Sequence, residues 1–527
     1  MMRPDKVEIL DTTLRDGAQA EGISFSVNDK YRIAELLSSV GVKYIEAGNP
    51  GSNPKDREFF AGFKEKCSLG GCSTLAAFGS TRRKGVAPED DKGIADIVAA
   101  DTDTVVIFGK VWDMEVREVL RCSREENMDM IRDTVEYFRS LGKEVIFDAE
   151  HYFEAYQCDP VYALKCLKAA QEGGASAVVL CDTNGATMPG VVETCVKEAV
   201  AGIDCRIGIH THNDSGLAVA NTIVAVLAGA SHVQGTFNGI GERCGNANLS
   251  TIIPNLQLKY GIECIPDDKM PLLTHVARAM AEVANITLTG QEPYIGVSAF
   301  SHKAGMHVDG VKKNPSTFEH VEPESVGNSR RFLMSEISGR SAIMDIISKY
   351  DSSVEKSSPQ VSRILARLKE MEHKGYHFEG AQASQELLVC KELGVYNPYF
   401  RLEKMRISGE QPWSGEFSAS AFIKISVDDI NEVTASEGDG PVNAMDQALR
   451  KALEVFYPEI NDIRLTDYKV RVLDTKATAS QVRVLIESTD GDEIWSTVGV
   501  SKDILEASWI ALVDSLEYKL MKSRMKK

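Results

Sequence analysis

The stretch "RIGIHTHNDSG" (Arg206–Gly216) decides how this chain is read. An apolar, β-branched run ends in two histidines two residues apart, His210 and His212. On a strand, positions i and i+2 point to the same side. Both imidazoles therefore face one way, with Asn213 and Asp214 directly behind them. Two chemistries fit: a polar strand end closing local hydrogen bonds, or two ligands of one metal ion. The rest of the chain has to choose.

Working outward, the same pattern recurs from residue 7 to about residue 250: a short apolar run, a polar end, then helical periodicity. The runs are "VEILD" (7–11), "KYIEAG" (43–48), "STLAAFG" (73–79) and "DTVVIFG" (103–109). Then come "EVIFDAE" (144–150), "SAVVLCD" (176–182), "RIGIHTH" (206–212) and "HVQGTFN" (232–238). Eight strand–helix units of this size predict an α/β fold, a (β/α)₈ TIM barrel over residues 1–265. A doubly wound open sheet is the competitor, but its glycine-rich turn after the first strand is missing, since Leu10 is followed by "DTTLRDG". Between the runs lie amphipathic segments such as "SVNDKYRIAELLSSVG", with Asn28 or Asp29 as cap and Gly41 as stop.

Residues 266–395 read as helical subdomains, with "PLLTHVARAMAEVANI" and "SSPQVSRILARLKEMEHKG" as helices and "SAFSHKAGMHVDGVKK" as a loop between them. Its histidines, His302 and His307, are expected to be exposed or helix-capping unless one is a base brought in from another domain. Residues 396–527 read as a C-terminal α+β domain. There "ASAFIKISVDD", "YKVRVLD" and "ASQVRVLIES" are strands, and "GPVNAMDQALRKALEVFY" and "DILEASWIALVDSLEYKL" are helices.

Composition narrows the class. A formal charge of −18 argues against nucleic acid as a partner. The basic cluster "STRRKG" (Ser80–Gly85) is expected to be a solvated loop or a site for a small anion, and the tail "MKSRMKK" a solvated helix end. No run approaches the roughly 20 apolar residues of a membrane span, and "MMRPDKVEIL" has no signal-like apolar core, so a cytoplasmic protein is expected. Eleven cysteines with no framework spacing point to reduced thiols.

In a barrel, chemistry sits where the strands end. The first run delivers Arg15 and Asp16, the second Glu46, and the fifth Asp148, Glu150 and His151. The sixth gives Asp182, Thr183 and Asn184; the seventh gives the histidine pair; the eighth runs into "NGIGERCGN". Asp16, His210 and His212 form a set that can hold a divalent metal, with Asn246 adding an amide oxygen. Mg²⁺, Mn²⁺ and Zn²⁺ all fit. Asp16 is otherwise a turn cap beside Gly17. Arg15 has the donor fork to steady a growing oxyanion, or it is scaffolding paired with Glu46 or Glu150. Gly239, Gly241, Glu242 and Gly245 suit a backbone cradle for phosphate or a pantetheine arm, though tight turns use the same residues.

These stretches also carry a resemblance. "LDTTLRDGAQ", "HTHNDSGLAVAN" and "VQGTFNGIGERCGNANL" resemble the signatures of the isopropylmalate, homocitrate and citramalate synthase family, in order and at the expected spacing. "SEGDGPVNAMDQAL" and "WSTVGVSKDILEASWIALVDSLEYKL" resemble its regulatory, LeuA-type dimerisation domain. The resemblance implies a metal-dependent barrel condensing acetyl-CoA with a 2-oxo acid. "GNPGSNPKDREFF", "GKVWDMEVREVL" and "FDAEHYFEAY" are most similar to the branch that uses pyruvate on a route to isoleucine. It implies Asp16, His210, His212 and Asn246 as metal ligands, Arg15 at the ketone oxygen, and Thr183 on the oxo-acid carboxylate. It further implies Glu150 as the catalytic glutamate, His307 as a base offered in trans by a domain-exchanged homodimer, and feedback by a branched-chain amino acid, isoleucine first. One departure stands out: other pyruvate-using members carry a tyrosine where this chain has Asp148. Lyases of the same superfamily, resembling the barrel alone, and a non-catalytic effector-binding regulator are the rival readings.

Overall fold

The computed structural model describes residues 3–71, 73–303, 305–332, 340–410, 418–473, 480–491 and 493–525. Met1, Met2, Ala304, Asp474, Ala479, Lys526 and Lys527, which fall in stretches quoted above, lie outside the described residues. The chain divides into two compact units, residues 1–301 with 318–331, and residues 302–317 with 332–527.

In the first unit the eight runs become β1 (Glu8–Asp11), β2 (Tyr44–Glu46), β3 (Thr74–Ser80) and β4 (Thr104–Lys110). They continue as β5 (Glu144–Glu150), β6 (Ala177–Asp182), β7 (Arg206–Thr211) and β8 (His232–Gly235). Each pairs in parallel with its sequence neighbour, and β1 also pairs with β8, Glu8 opposite His232 and Asp11 opposite Gly235. That closure makes a barrel and excludes the open sheet. The strands read as unbroken apolar runs because both faces are buried. Leu10, Tyr44, Val106, Ile146 and Val179 fill the interior, while Ile9, Ile45, Val105, Phe147 and Ile209 pack outward against the helices.

Two local expectations are corrected. The helix Val27–Ser39 is capped by Ser26, whose hydroxyl accepts from the Asp29 N–H while the Asp29 carboxylate accepts from the Ser26 N–H at 2.8 Å. This reciprocal box satisfies two backbone donors, so Asp29 is its far half and Asn28 has no part in it. Gly41, at φ 86°, follows the helix end as read. "STRRKG" is exposed at Ser80 and from Arg83 to Gly85 as read, but not at Arg82. Arg82 is buried and lies 3.1 Å from Glu126 and 2.8 Å from Asp133, on the helix Arg124–Ser140. Its guanidinium ties that helix to the loop after β3, so it is spoken for as an anion site.

The second unit begins with the helix Gly305–Lys313, which occupies much of the stretch read as a loop. His302 is buried against Phe332, and His307 is exposed on that helix. Three further helices, Arg340–Tyr350, Pro359–His373 and Gln382–Leu393, follow. Then one pattern occurs twice. β9 (Arg401–Glu410), β10 (Ser418–Val427) and β11 (Ile430–Gly438) form an antiparallel sheet backed by the helix Pro441–Leu453. β12 (Arg464–Val472), β13 (Val482–Thr489) and β14 (Ile494–Ser501) form another, backed by the helix Ile504–Met525. In both halves a strand threonine donates to a carbonyl of the covering helix at 2.7 Å, Thr434 to Ala448 and Thr497 to Ala511. β9, β11 and β14 are additional to the strands read from sequence. β9 and β11 carry largely exposed, polar outer positions, which blur the alternation.

Candidate active site

Inner-face residues step by two from the barrel's apolar interior to its mouth. On β5 the sequence is Ile146, Asp148, Glu150; on β7 it is Gly208, His210, with His212 next; on β8 it is His232, then Gln234. Parallel register sets the neighbours, placing His210 beside Gln234 and Lys110 beside Glu150. Arg15 and Asp16 enter on the turn after β1, closed by the Asp16 N–H on the Thr12 carbonyl at 2.8 Å. Lys30 fixes that turn from behind. Its buried ammonium donates to the carbonyls of Leu14 (3.0 Å) and Ala47 (2.8 Å) and to Asp56, so the first two loops are tied together.

The Asp16 side chain caps no helix and turns instead to the histidines. One ligand atom from each of Asp16, His210 and His212 fits within a mutual 4.8 Å, and all three residues are buried. Asp16 Oδ2 lies 3.3 Å from His210 Nε2 and 3.8 Å from His212 Nε2, and the two Nε2 atoms face each other at 3.3 Å. Asn246 donates to Asp16 at 2.9 Å, while its buried Oδ1 has no hydrogen-bond partner among the described residues. A Cβ on Gly241 would overlap that amide oxygen, so the close approach requires glycine there. Two imidazole lone pairs and a carboxylate converging on one point suit a divalent cation.

Electrostatics suit that use at Asp16 and His212 and oppose it at His210. Burial opposes the Asp16 anion, yet Arg15, His210 and His212 hold its carboxyl well below the usual range. Burial lowers the His210 pKa, but Asp16 outweighs it and leaves it above the ordinary value. Burial and the neighbouring His210 bring His212 down to about 4.

Arg15 is tied into the scaffold and also lines the cavity. Its Nε donates to Glu46 at 2.6 Å, its Nη1 lies 3.3 Å from Asp16, and its guanidinium carbon stands 3.9 Å over the Phe78 ring. Phe78 in turn stacks on Phe108 at 5.2 Å. These groups line a cavity of about 250 Å³ that also takes in Asp148, Glu150, Thr183 and the histidine pair. Burial, with Glu46 nearby, pushes the Asp148 carboxyl up to about 7.

The remaining candidates fall as follows. Thr183 lines the cavity, and its hydroxyl accepts from the His151 N–H at 2.8 Å. Glu150 pairs with Lys110 at 2.6 Å, and the same ammonium reaches Glu115 at 2.8 Å, so that carboxylate cluster already holds a cation of its own. In the glycine loop, the Gly239 N–H donates to Thr236 and the Gly245 N–H to Glu242, while Glu242 and Arg243 face the cavity. His307 belongs to the second unit. Lys110, Phe78, Phe108, Gln234 and Arg243 are additional to the residues read from sequence. The first four sit at inner-face steps of strands already identified, which was the available signal. Arg243 had none: it grips Asp214 with two bonds of 2.8 and 2.9 Å and the Thr183 carbonyl with a third of 2.8 Å, all across loops.

Residues 6–269, the barrel, match the HMGL-like family. Residues 294–376 match the homocitrate synthase post-HMGL domain-like family, and residues 379–520 the LeuA allosteric (dimerisation) domain. The chain is 49% identical to the (R)-citramalate synthase of Aquifex aeolicus, with 98% of each chain covered. It is 50% identical to that of Geobacter sulfurreducens and 46% to that of Sulfolobus acidocaldarius, again with 98% of each chain covered. The chain belongs to this family of HMGL-like barrel enzymes, and within it to the (R)-citramalate synthases.

Proposed function

We propose that this protein condenses acetyl-CoA with pyruvate and water to give (R)-citramalate and CoA, a step leading through 2-oxobutanoate toward isoleucine. The observation that carries the proposal is the donor fork of Arg15, 3.3 Å from Asp16 and in one cavity with the histidine pair. Asp16, His210, His212 and Asn246 would hold a divalent cation, Mg²⁺, Mn²⁺ or Zn²⁺, which when bound polarises the oxygens of the oxo acid. Arg15, steadied by Glu46 and the face of Phe78, presents its remaining donors to the ketone oxygen. The Thr183 hydroxyl holds the pyruvate carboxylate. His307, assisted by Glu150, takes a proton from the acetyl methyl group, and the resulting enolate carbon bonds to the ketone carbon. Negative charge then moves onto the former ketone oxygen, where Arg15 meets it. Water hydrolyses the thioester and CoA leaves.

We assign the CoA arm to the loop Gly239–Asn246, where Gly239, Gly241 and Gly245 keep the backbone bare and Glu242 stands beside the cavity. The LeuA-type segment supports a homodimer, with His307 supplied in trans, and a feedback amino acid, isoleucine first. CoA thiol release compared across pyruvate, 2-oxobutanoate, 2-oxoisovalerate and 2-oxoglutarate tests the substrate. Pyruvate should lead by about tenfold or more, since each added methylene is worth roughly 1–3 kcal/mol in a fitted pocket. Faster release with 2-oxoisovalerate would overturn it. A thermal shift with isoleucine but not with leucine or valine is expected for the effector.

A further inference from the structure

We propose that Gln234 is a positioning residue that sets the tautomer of His210, so that only one of the two histidines arrives at the metal pre-arranged. The inference rests on the metal set proposed above. Gln234 is fully buried, and its amide bridges two other buried side chains across the barrel interior. Its Nε2 donates to Asp148 Oδ1 at 2.8 Å, and its Oε1 faces His210 Nδ1 at 2.9 Å. An ionised Asp148 carboxylate can only accept, so the amide nitrogen belongs on the Asp148 side. Oε1 can then only accept, and Nδ1 must bear the hydrogen. A neutral imidazole has one N–H. The lone pair is therefore left on Nε2, the atom 3.3 Å from both Asp16 Oδ2 and His212 Nε2. An outer hydrogen bond of this kind fixes ring orientation and strengthens the ligand. His212 has no such arrangement, because its buried Nδ1 lacks a hydrogen-bond partner among the described residues. Asp148 thus acts twice, as a wall of the substrate cavity and as the anchor of this bridge.

The test uses the full-length protein and Mn²⁺, with free ion followed by electron paramagnetic resonance. Gln234→Met keeps the shape and removes both bonds, and binding should weaken roughly 10- to 100-fold. Gln234→Glu should stay within about threefold of the parent, because a protonated carboxyl still donates to Asp148 and accepts from His210. A packing role alone would show the reverse order, with the methionine tolerated. Nitrogen-15 spectra of ring-labelled, metal-free wild-type protein at about pH 8.5, with His210 assigned by its replacement with Gln, should show the Nδ1–H form. Mn²⁺ binding by Gln234→Met as tight as the parent's, or an Nε2–H tautomer in the wild type, would overturn the inference. Wild-type protein that fails to bind Mn²⁺ would sink the metal assignment instead, and the tautomer measurement would still decide the role of Gln234.

Discussion

The barrel gathers charge at both ends, and the two ends use similar residues to opposite effect. At the floor, Arg206 stands between Glu8 and Glu144, 2.8 Å from the latter, and also donates to the Ser176 carbonyl. The Tyr44 hydroxyl bonds to Glu144 at 3.1 Å, so anions and cation are matched among themselves. His232 sits there too without hydrogen-bond partners among the described residues, but burial, and then Arg206, take its pKa down to about 3 and leave a neutral ring packed against Tyr44. At the mouth, Asn246 Oδ1, His212 Nδ1 and Glu46 Oε1 are buried and have no partner among the described residues, beside a cavity of about 250 Å³. Proteins seldom leave buried polar groups unmatched without a use for them. Unmatched atoms beside an open cavity separate site from scaffold here; residue type does not, and His232 shows that an unmatched atom alone does not either.

The comparison can be broken in four ways. Asp16→Ala should have the largest effect: loss of bound divalent metal, measured by elemental analysis, and a fall in thiol release beyond the roughly 10²–10³-fold of a single lost oxyanion donor. Arg15→Lys keeps the charge but loses the fork, so kcat should drop by roughly 10²–10³-fold while metal content is unchanged. Near-normal turnover in that variant would remove Arg15 from the chemistry.

The third probe is pH. Asp16 is ionised and His212, at about 4, is neutral through the working range, whereas the His210 pKa lies above its ordinary value. As pH falls through that raised pKa, the metal must displace a proton from His210 alone. Affinity should weaken by about tenfold per pH unit with release of about one proton per ion, read by calorimetry in two buffers. Release of two protons would show that the pair titrates together. The smallest change is expected from Arg206→Met at the floor, which leaves two half-buried carboxylates facing each other. Stability in denaturant should fall by about 1–3 kcal/mol with turnover intact; a loss of turnover at native-like stability would mean the floor reaches the site.

Much of the first unit was legible because its signals are local. Period-two alternation put His210 with His212, and the eight apolar runs needed no knowledge of their partners. The cap lies two residues before Asn28, at Ser26, where the Ser–x–x–Asp box begins and where the hydroxyl rather than the amide or carboxylate leads the helix. The second unit was less legible. β9 and β11 expose much of their outer faces, so their identity depends on β10 between them rather than on their own pattern. Arg243 and the internal bonding of Gly239 and Gly245 were out of reach for the same reason: loop contacts have no period.

By itself the sequence determined which side chains share a strand face, since direction along a strand alternates with the backbone whatever surrounds it. It also determined where apolar runs end, and so which residues stand at a mouth. Only the tertiary structure decided that Asp16 meets Asn246 across a separation of 230 residues, that Arg15 lies on Phe78, and that Gln234 spans from His210 to Asp148. Those neighbours exist because β1 closes onto β8, and closure of a ring is a property of all eight strands together, absent from any one stretch of the chain.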